Sequence, residues 1–262
     1  MRQLLFLALA AAVSTSSALC DDDFQWQGQL APGQLLNIRG VFGAVHAEGT
    51  SGNIASVTAH KTATRSDPNS VNIQVVPFDG GVVICAVYPD GDPAHTNTCN
   101  PPGMNFTAVS NNDVEVEFTV KVPAGVRLTA STLRGDITAR SLTAEVYATA
   151  NIGSIDLSTS ESAQVDTRLG SITAVLGTVN WAGVRSFFSG KGDIDLQIPA
   201  DANVSVHANT ISGAIISDFP LTINSAPRGA NFAYGKLGSD GRVLLVSTDS
   251  GNITLRQGSS VQ

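Results

Sequence analysis

Residues 132–137 read Thr-Leu-Arg-Gly-Asp-Ile, and this short pattern returns five more times along the second half of the chain. It consists of a small residue, two variable positions, Gly, a small or polar residue, and Ile. The later copies are Ala150-Asn-Ile-Gly-Ser-Ile155, Thr167-Arg-Leu-Gly-Ser-Ile172, Ser189-Gly-Lys-Gly-Asp-Ile194, Thr210-Ile-Ser-Gly-Ala-Ile215 and Thr248-Asp-Ser-Gly-Asn-Ile253. Successive glycines lie 18, 17, 22, 21 and 38 residues apart. Such regularity indicates one small structural unit that the chain uses repeatedly, with roughly two units in the last interval.

Each unit is typical of two short strands joined by a turn. Val165 and Thr167 alternate before the turn, and after it Ile172 and Ala174 share one face. Glycine suits a turn position that a Cβ atom would obstruct. We therefore predict structural turns at Gly135, Gly153, Gly170, Gly192, Gly213 and Gly251, and buried core positions at Ile137, Ile155, Ile172, Ile194, Ile215 and Ile253.

The repeat also predicts the fold class. A unit of this length cannot bury its own apolar face, whereas stacked units share a continuous core. We expect an all-β fold, a β-solenoid or β-helix-like stack of short strands with Gly-x-Ile turn repeats. A curled or two-layered sheet is the alternative, because the repeat spacing does not define the cross-section. Stacks with open ends associate readily, so an end-to-end homodimer is a further expectation.

Strand-like alternation also fills the first half of the chain, where Gly, Pro, Asn and Asp separate the segments. These segments are Leu35–Val45, Ile54–Lys61, Val71–Val76, Gly81–Val87 and Val114–Val122. Fainter copies of the turn occur at Gly43-Ala-Val45 and Gly52-Asn-Ile54. We predict an irregular N-terminal β region, residues 21–126, continuous as one domain with the repeat region, residues 127–262. The stretches Trp181–Ser189 and Ser217–Leu237 are interpreted as insertions between units.

Residues 1–20 have the features of a secretory signal peptide: an early Arg2, the apolar run Leu4–Val13, and small residues before Cys20. Cleavage after Ala18 or after Cys20 fits the small residues, and Leu19 disfavours lipidation of Cys20. The rest of the chain has no apolar run of about 18 residues, so no transmembrane segment is predicted. We expect an exported protein of the periplasm, cell envelope or extracellular space.

Once Cys20 is removed with the signal, Cys85 and Cys99 form an even pair in an oxidising compartment. They bracket a loop rich in Pro, Gly and Asp that has little capacity to form a core. A disulfide closing this loop is expected to stabilise the fold by about 3 kcal/mol. The alternative, a metal site with His95, lacks further ligands nearby.

Charge and motifs exclude several functions. The chain has 15 basic and 22 acidic residues, a net charge of −7, and its basic residues are scattered, which argues against a nucleic-acid partner. Its histidines lack metal-ligand spacing, and no serine-nucleophile motif occurs. The histidines are His46, His60, His95 and His207. We predict no catalytic residues, no metal and no cofactor.

The acidic residues of the repeat are the strongest candidates for chemistry. Asp136 and Asp193 share one turn position, and Asp156 and Asp195 follow the turn. Stacking can bring such carboxylates together around a sugar or a calcium ion. The intervening units carry Ser154 and Ser171 at the shared position, which separates the acids. Solvated turn residues are therefore the favoured interpretation.

The repeat resembles the DUF4097 family of adhesin-like β-solenoid proteins of bacterial envelopes. The resemblance rests on the repeated Gly-x-Ile turn, on Val120-Lys-Val-Pro-Ala-Gly-Val126 before it, and on the closing segment 244–256, and it covers roughly residues 30–257. It implies a fold and a compartment, and it transfers no catalytic residue.

Together these features predict an exported, non-enzymatic scaffold or surface-binding module with an undetermined envelope or surface ligand, either protein or glycan. The alternatives are a polysaccharide-active β-helix enzyme that uses stacked Asp residues, and an envelope sensor or regulatory partner protein.

Overall fold

A computed structural model describes residues 24–89, 97–100, 109–225, 229–239 and 241–258 of the protein. The predicted signal peptide, Cys20 and His95 lie outside the described residues. The described residues form an all-β fold whose one helical segment is the 3₁₀ turn Pro68–Ser70. No helix in this part of the chain has the length and apolar character needed to cross a membrane.

The strands are β1 (Phe24–Gln29), β2 (Leu35–Arg39), β3 (Val45–Thr50), β4 (Ile54–Thr62), β5 (Asn72–Phe78), β6 (Gly81–Val87), β7 (Glu115–Pro123), β8 (Arg127–Arg134), β9 (Ile137–Leu142), β10 (Val146–Ile152), β11 (Ile155–Thr159), β12 (Ala163–Leu169), β13 (Ile172–Leu176), β14 (Val184–Lys191), β15 (Ile194–Pro199), β16 (Val204–Ser212), β17 (Ile215–Ser217), β18 (Thr222–Asn224), β19 (Asn231–Leu237), β20 (Val243–Ser250) and β21 (Ile253–Gly258). In most of them buried and exposed side chains alternate, as the sequence pattern predicts. The segment Leu35–Val45 forms two strands rather than one, because the chain bends at Gly43, which has φ of +109°.

The strands assemble into two large mixed sheets. The first, sheet A, has the order β1-β4-β7-β3-β9-β11-β13-β15-β21-β17. The second, sheet B, has the order β18-β19-β16-β20-β14-β12-β10-β8-β2-β6-β5. One hydrophobic core extends from Leu30 to Leu255, and it includes all six predicted Ile positions.

Eight pairs of strands recur as units, each with one strand in either sheet. Equivalent strands of neighbouring units pair in parallel, so Ile155 lies opposite both Ile137 and Ile172. The units follow the same order in both sheets, namely β6–β7, β2–β3, β8–β9, β10–β11, β12–β13, β14–β15, β20–β21 and β16–β17.

The order of the units in space differs from their order along the chain. The segment β20–β21, which closes the described chain, lies between β14–β15 and β16–β17. At the other end, β2–β3 lies between β6–β7 and β8–β9. The interpretation of Trp181–Ser189 as an insertion is wrong, because most of this stretch belongs to β14 and pairs with β12 and β20. Among the described residues of the 38-residue interval there is no degenerate unit; the described part of Ser217–Leu237 includes β18 and β19 instead.

Antiparallel strands cover much of both ends of the stack. At one end β4 and β1 extend sheet A and β5 extends sheet B. At the other end β19 and β18 extend sheet B, and the Asn231 side-chain amide donates to the Gly213 carbonyl oxygen at 2.5 Å. In sheet A this end is the three-residue strand β17, and none of the described strands pairs with its outer edge. The end-to-end homodimer stays a prediction.

Candidate functional site

The six predicted turn glycines lie in one column along a corner of the stack. A Cβ atom on Gly153 would lie 1.9 Å from the carbonyl oxygen of Gly135, and one on Gly170 would lie 2.0 Å from that of Gly153. Both glycines also have φ near +157°, which side chains rarely adopt. The neighbouring unit therefore occupies the space that any side chain would need. Along the column the order is Gly43, Gly135, Gly153, Gly170, Gly192, Gly251 and Gly213.

A second column, of buried hydroxyl groups, donates hydrogen bonds to the carbonyl oxygens of the glycine column. Three residues before its own glycine, Thr167 donates from Oγ1 to the Gly153 carbonyl oxygen at 2.8 Å. Equivalent bonds run from Ser189 to Gly170, from Thr248 to Gly192, from Thr210 to Gly251 and from Thr132 to Gly43, at 2.8 to 3.0 Å. Ala150 occupies the same buried position without a hydroxyl group.

After five of the six predicted turn glycines, the next side chain accepts a backbone hydrogen bond from the neighbouring unit. Asp136 accepts from the N–H of Ser154 at 2.8 Å, and Asp193 accepts from that of Asn252 at 2.7 Å. Ser154, Ser171 and Asn252 accept in the same way. The ladder ends at Ala214 in β16–β17, beyond which none of the described units stacks. Asp136 and Asp193 are thus exposed but structurally engaged, and three strand spacings, about 14 Å, separate them.

The outer face of sheet A, here called the polar face, presents one continuous row of hydrophilic side chains. The register aligns Gln25, Thr58, Thr119, His46, Thr138, Asp156, Thr173, Asp195 and Thr254 across nine successive strands. Adjacent members are about 4.8 Å apart, because each comes from a neighbouring strand. The paired backbone therefore fixes the spacing between these positions.

Arginines engage the two aspartates on the polar face. Arg140 donates to the Asp156 carboxylate at 2.5 Å. Arg256 contacts both oxygens of Asp195 at 2.8 to 3.0 Å, and hydrogen bonding to this carboxylate raises the pKa of Arg256. The four predicted aspartates therefore do not converge on one point, since each has its own partner.

The described histidines are also dispersed. His46 Nδ1 lies 2.8 Å from Thr138 Oγ1 on the polar face, whereas His207 lies in β16 of sheet B. Within the described ranges, no three His, Cys, Asp or Glu residues are grouped so as to hold a metal ion.

Cys85 and Cys99 form the predicted disulfide, with their Cα atoms 5.8 Å apart. With Val83 they form a small apolar cluster separate from the main core. Arg39 donates to the Asn100 carbonyl oxygen at 3.0 Å, next to the bridge. The disulfide thus links residues 97–100 covalently to β6 of sheet B.

Sequence reasoning missed a group of exposed aromatic side chains in β19. Phe232 and Tyr234 lie in the stretch interpreted as an insertion, although Phe232-Ala-Tyr234 has the alternation of a strand. Their exposure could not be predicted without knowing that β19 lies at the end of the stack.

Comparisons with known proteins find only distant matches among solved structures. No protein-family model matches the chain, and no curated protein matches it. A candidate cell adhesion protein from Clostridium sporogenes is 13% identical, with a TM-score of 0.45, over 90% of this chain and 100% of that one. Candidate adhesins from Bacteroides fragilis and Parabacteroides distasonis are 9% and 10% identical, with TM-scores of 0.31 and 0.22, over 89% and 88% of this chain and 96% of each of theirs. At these values the similarities assign no function to this chain.

Proposed function

We propose that the protein is an exported, non-enzymatic β-solenoid of the DUF4097 type that binds an envelope ligand through its polar face. The stacking of eight units in parallel register supports the solenoid assignment. The Cys85–Cys99 disulfide supports export, because such bonds persist in oxidising compartments.

The row of threonines on the polar face carries the proposed binding function. Thr138, Thr173 and Thr254 come from different units, and the sheet holds them at regular intervals. Each hydroxyl both donates and accepts, and a net hydrogen bond contributes about 0.5–1.5 kcal/mol. Many such weak contacts suit an extended hydrophilic ligand on a cell surface.

Carboxylate spacing favours binding over glycoside hydrolysis. Hydrolases place their two carboxyl groups about 5–9.5 Å apart, whereas Asp136 and Asp193 are about 14 Å apart. Asp156 and Asp195 are closer, but each is bound to an arginine. In sheet B, partial burial raises the pKa of Asp166, yet its neighbours in the register are Thr149 and Phe188 rather than a second carboxylate.

Replacing the hydroxyls of the polar face tests this function. We expect the triple variant Thr138→Val, Thr173→Val, Thr254→Val to reduce retention on isolated bacterial envelopes roughly tenfold, because valine keeps the shape but forms no hydrogen bond. The matched control is Thr129→Val with Thr149→Val on the outer face of sheet B, which should bind as the wild type does. Equal binding by the triple variant and the wild type would contradict the proposal.

A separate assay tests the absence of catalysis. The purified protein is incubated with envelope polysaccharides, and release of reducing ends is measured. We expect none above the buffer blank. Depolymerisation that Asp136→Asn or Asp193→Asn abolishes would replace the binding function with an enzymatic one.

A further inference from the structure

An exposed aromatic pair lies at one end of sheet B, on the side of the molecule opposite the polar face. Phe232 and Tyr234 in β19 are 49% and 50% exposed, more than any other aromatic side chain in the described ranges. They occupy alternate positions, so both rings leave the same face of the strand about 7 Å apart. Leu245, 39% exposed, lies nearby on β20. Apolar side chains grouped at a surface mark a site of interaction.

These side chains border a groove of about 450 Å³, here called the aromatic groove. Its floor is β16 and its sides are β19 and β20. His207 lies opposite Tyr234 and Leu245 in the register, and Asn209 lies opposite Phe232 and Ser247. The groove therefore presents the imidazole of His207, the amide of Asn209 and the hydroxyl of Ser247 between apolar side chains.

Asn209 gives the aromatic groove a second, independent feature. Its Oδ1 atom is buried and accepts no hydrogen bond from the described protein. An unsatisfied buried acceptor loses its hydrogen bonds to water without replacement, so such atoms are rare in folded proteins and call for an explanation. A ligand that carries a hydroxyl or N–H donor supplies such a bond if the amide turns toward it.

The lining also restricts the charge of the ligand. None of the described residues that line the groove is Asp, Glu, Lys or Arg, so the lining offers a charged ligand no permanently ionised partner. The best match is a neutral molecule with one flat face of C–H groups and a rim of hydroxyls. A pyranose ring has both, because its C–H face can pack on an aromatic ring while its hydroxyls bond to the polar neighbours.

We propose that the aromatic groove binds a neutral sugar ring of an envelope glycan, with the ring stacked on Tyr234 and Phe232 and its hydroxyls bonded to Asn209, His207 and Ser247. This assignment rests on the proposed function only in treating the protein as a surface-binding module. It uses a different sheet and different residues from the polar face.

Titration calorimetry with soluble neutral oligosaccharides of glucose, galactose, mannose and N-acetylglucosamine tests the assignment. We expect at least one to bind the wild type, and Tyr234→Ala to weaken that binding about tenfold. Asn209→Leu should weaken it about fivefold, because the shape is kept and the acceptor is lost. The matched control is Leu169→Ala, which truncates a side chain that is 43% exposed outside the groove and should leave sugar affinity unchanged.

Asn209→Leu also separates a binding role from a structural one. Removal of the unsatisfied acceptor should keep or raise thermal stability, so reduced affinity in a fully folded variant indicates lost contact with the sugar. If none of these sugars binds the wild type at millimolar concentration, the assignment is overturned. A concentration-dependent dimer that Tyr234→Ala abolishes would also overturn it, since the groove would then be an interface between copies.

The two binding proposals can fail separately. If the wild type is retained on envelopes but binds no sugar, the proposal for the aromatic groove is contradicted and the proposal for the polar face stands. Sugar binding without envelope retention would contradict the proposed function and leave the groove assignment standing.

Discussion

At the scale of single residues, five of the six repeat turns combine a glycine that makes room for the neighbouring unit with a hydroxyl that bonds to that unit. The glycine positions and the Ile positions were predictable, because the spacing Gly-x-Ile repeats without exception. The role of the small residue three positions before each glycine could not be predicted, because the carbonyl oxygen that it bonds to belongs to another unit. The exposed aspartates likewise have partners that only the stacking reveals.

Ala150 provides a test of the hydroxyl column. Ala150 is 1% exposed, and its neighbours in the register are Thr132 and Thr167. We expect Ala150→Ser to raise the free energy of unfolding by about 1 kcal/mol through a new bond to the Gly135 carbonyl oxygen. Urea denaturation measures the change.

Ala148→Ser is the control for that substitution. Ala148 lies two residues earlier on the same strand and is fully buried in the apolar core, so its hydroxyl should lower stability. Equal losses in the two variants would show that the column offers no acceptor at position 150.

At the scale of elements, strands with clear alternation were predictable and the connections between them were not. β6 has the predicted bounds Gly81–Val87, and β7 differs by one residue at each end from the predicted Val114–Val122. The 3₁₀ turn Pro68–Ser70 has no such alternation; Asp67 caps it locally, and the contact of the preceding residues with the distant Asp113 could not be predicted.

Asp113 makes the connection between β4 and β5 sensitive to acid. Hydrogen bonds from Ser66 and then Arg65 lower the pKa of Asp113 well below its ordinary value of 3.8. Because the folded state has the lower pKa, the stabilisation is complete above the unfolded value and is lost as the pH falls below it. We expect urea midpoints of wild type and Asp113→Asn to differ most at pH 6 and to approach each other at pH 2.5.

Ser66→Ala is the companion variant, because it removes the largest cause of that shift and keeps the carboxylate. It should fall between the wild type and Asp113→Asn at pH 6. If the gap between wild type and Asp113→Asn is the same at both pH values, the carboxylate does not stabilise this connection.

At the scale of the whole molecule, the all-β class follows from the sequence, but the order of the units does not. Units with the same turn and the same core residues can stack on one another in more than one order. Alanine follows the glycine at both ends of the column, as Ala44 in β2–β3 and as Ala214 in β16–β17, whereas Asp, Ser or Asn follows it in the five units between them. The order matters for the proposed sugar site, because β20 brings Leu245 and Ser247 beside β16 and thus completes the aromatic groove.

Cysteine cross-linking measures the order of the units, which is the central claim, most directly. Phe188 in β14 lies opposite Ser247 in β20, within the distance that a disulfide spans, whereas Asn209 in β16 is two strands away, about 10 Å. Under oxidising conditions, peptide mapping of Phe188→Cys with Ser247→Cys should show a bond between these positions. Phe188→Cys with Asn209→Cys should show none. A bond from position 188 to position 209, with none to position 247, would mean that the units stack in chain order and would contradict the architecture described above.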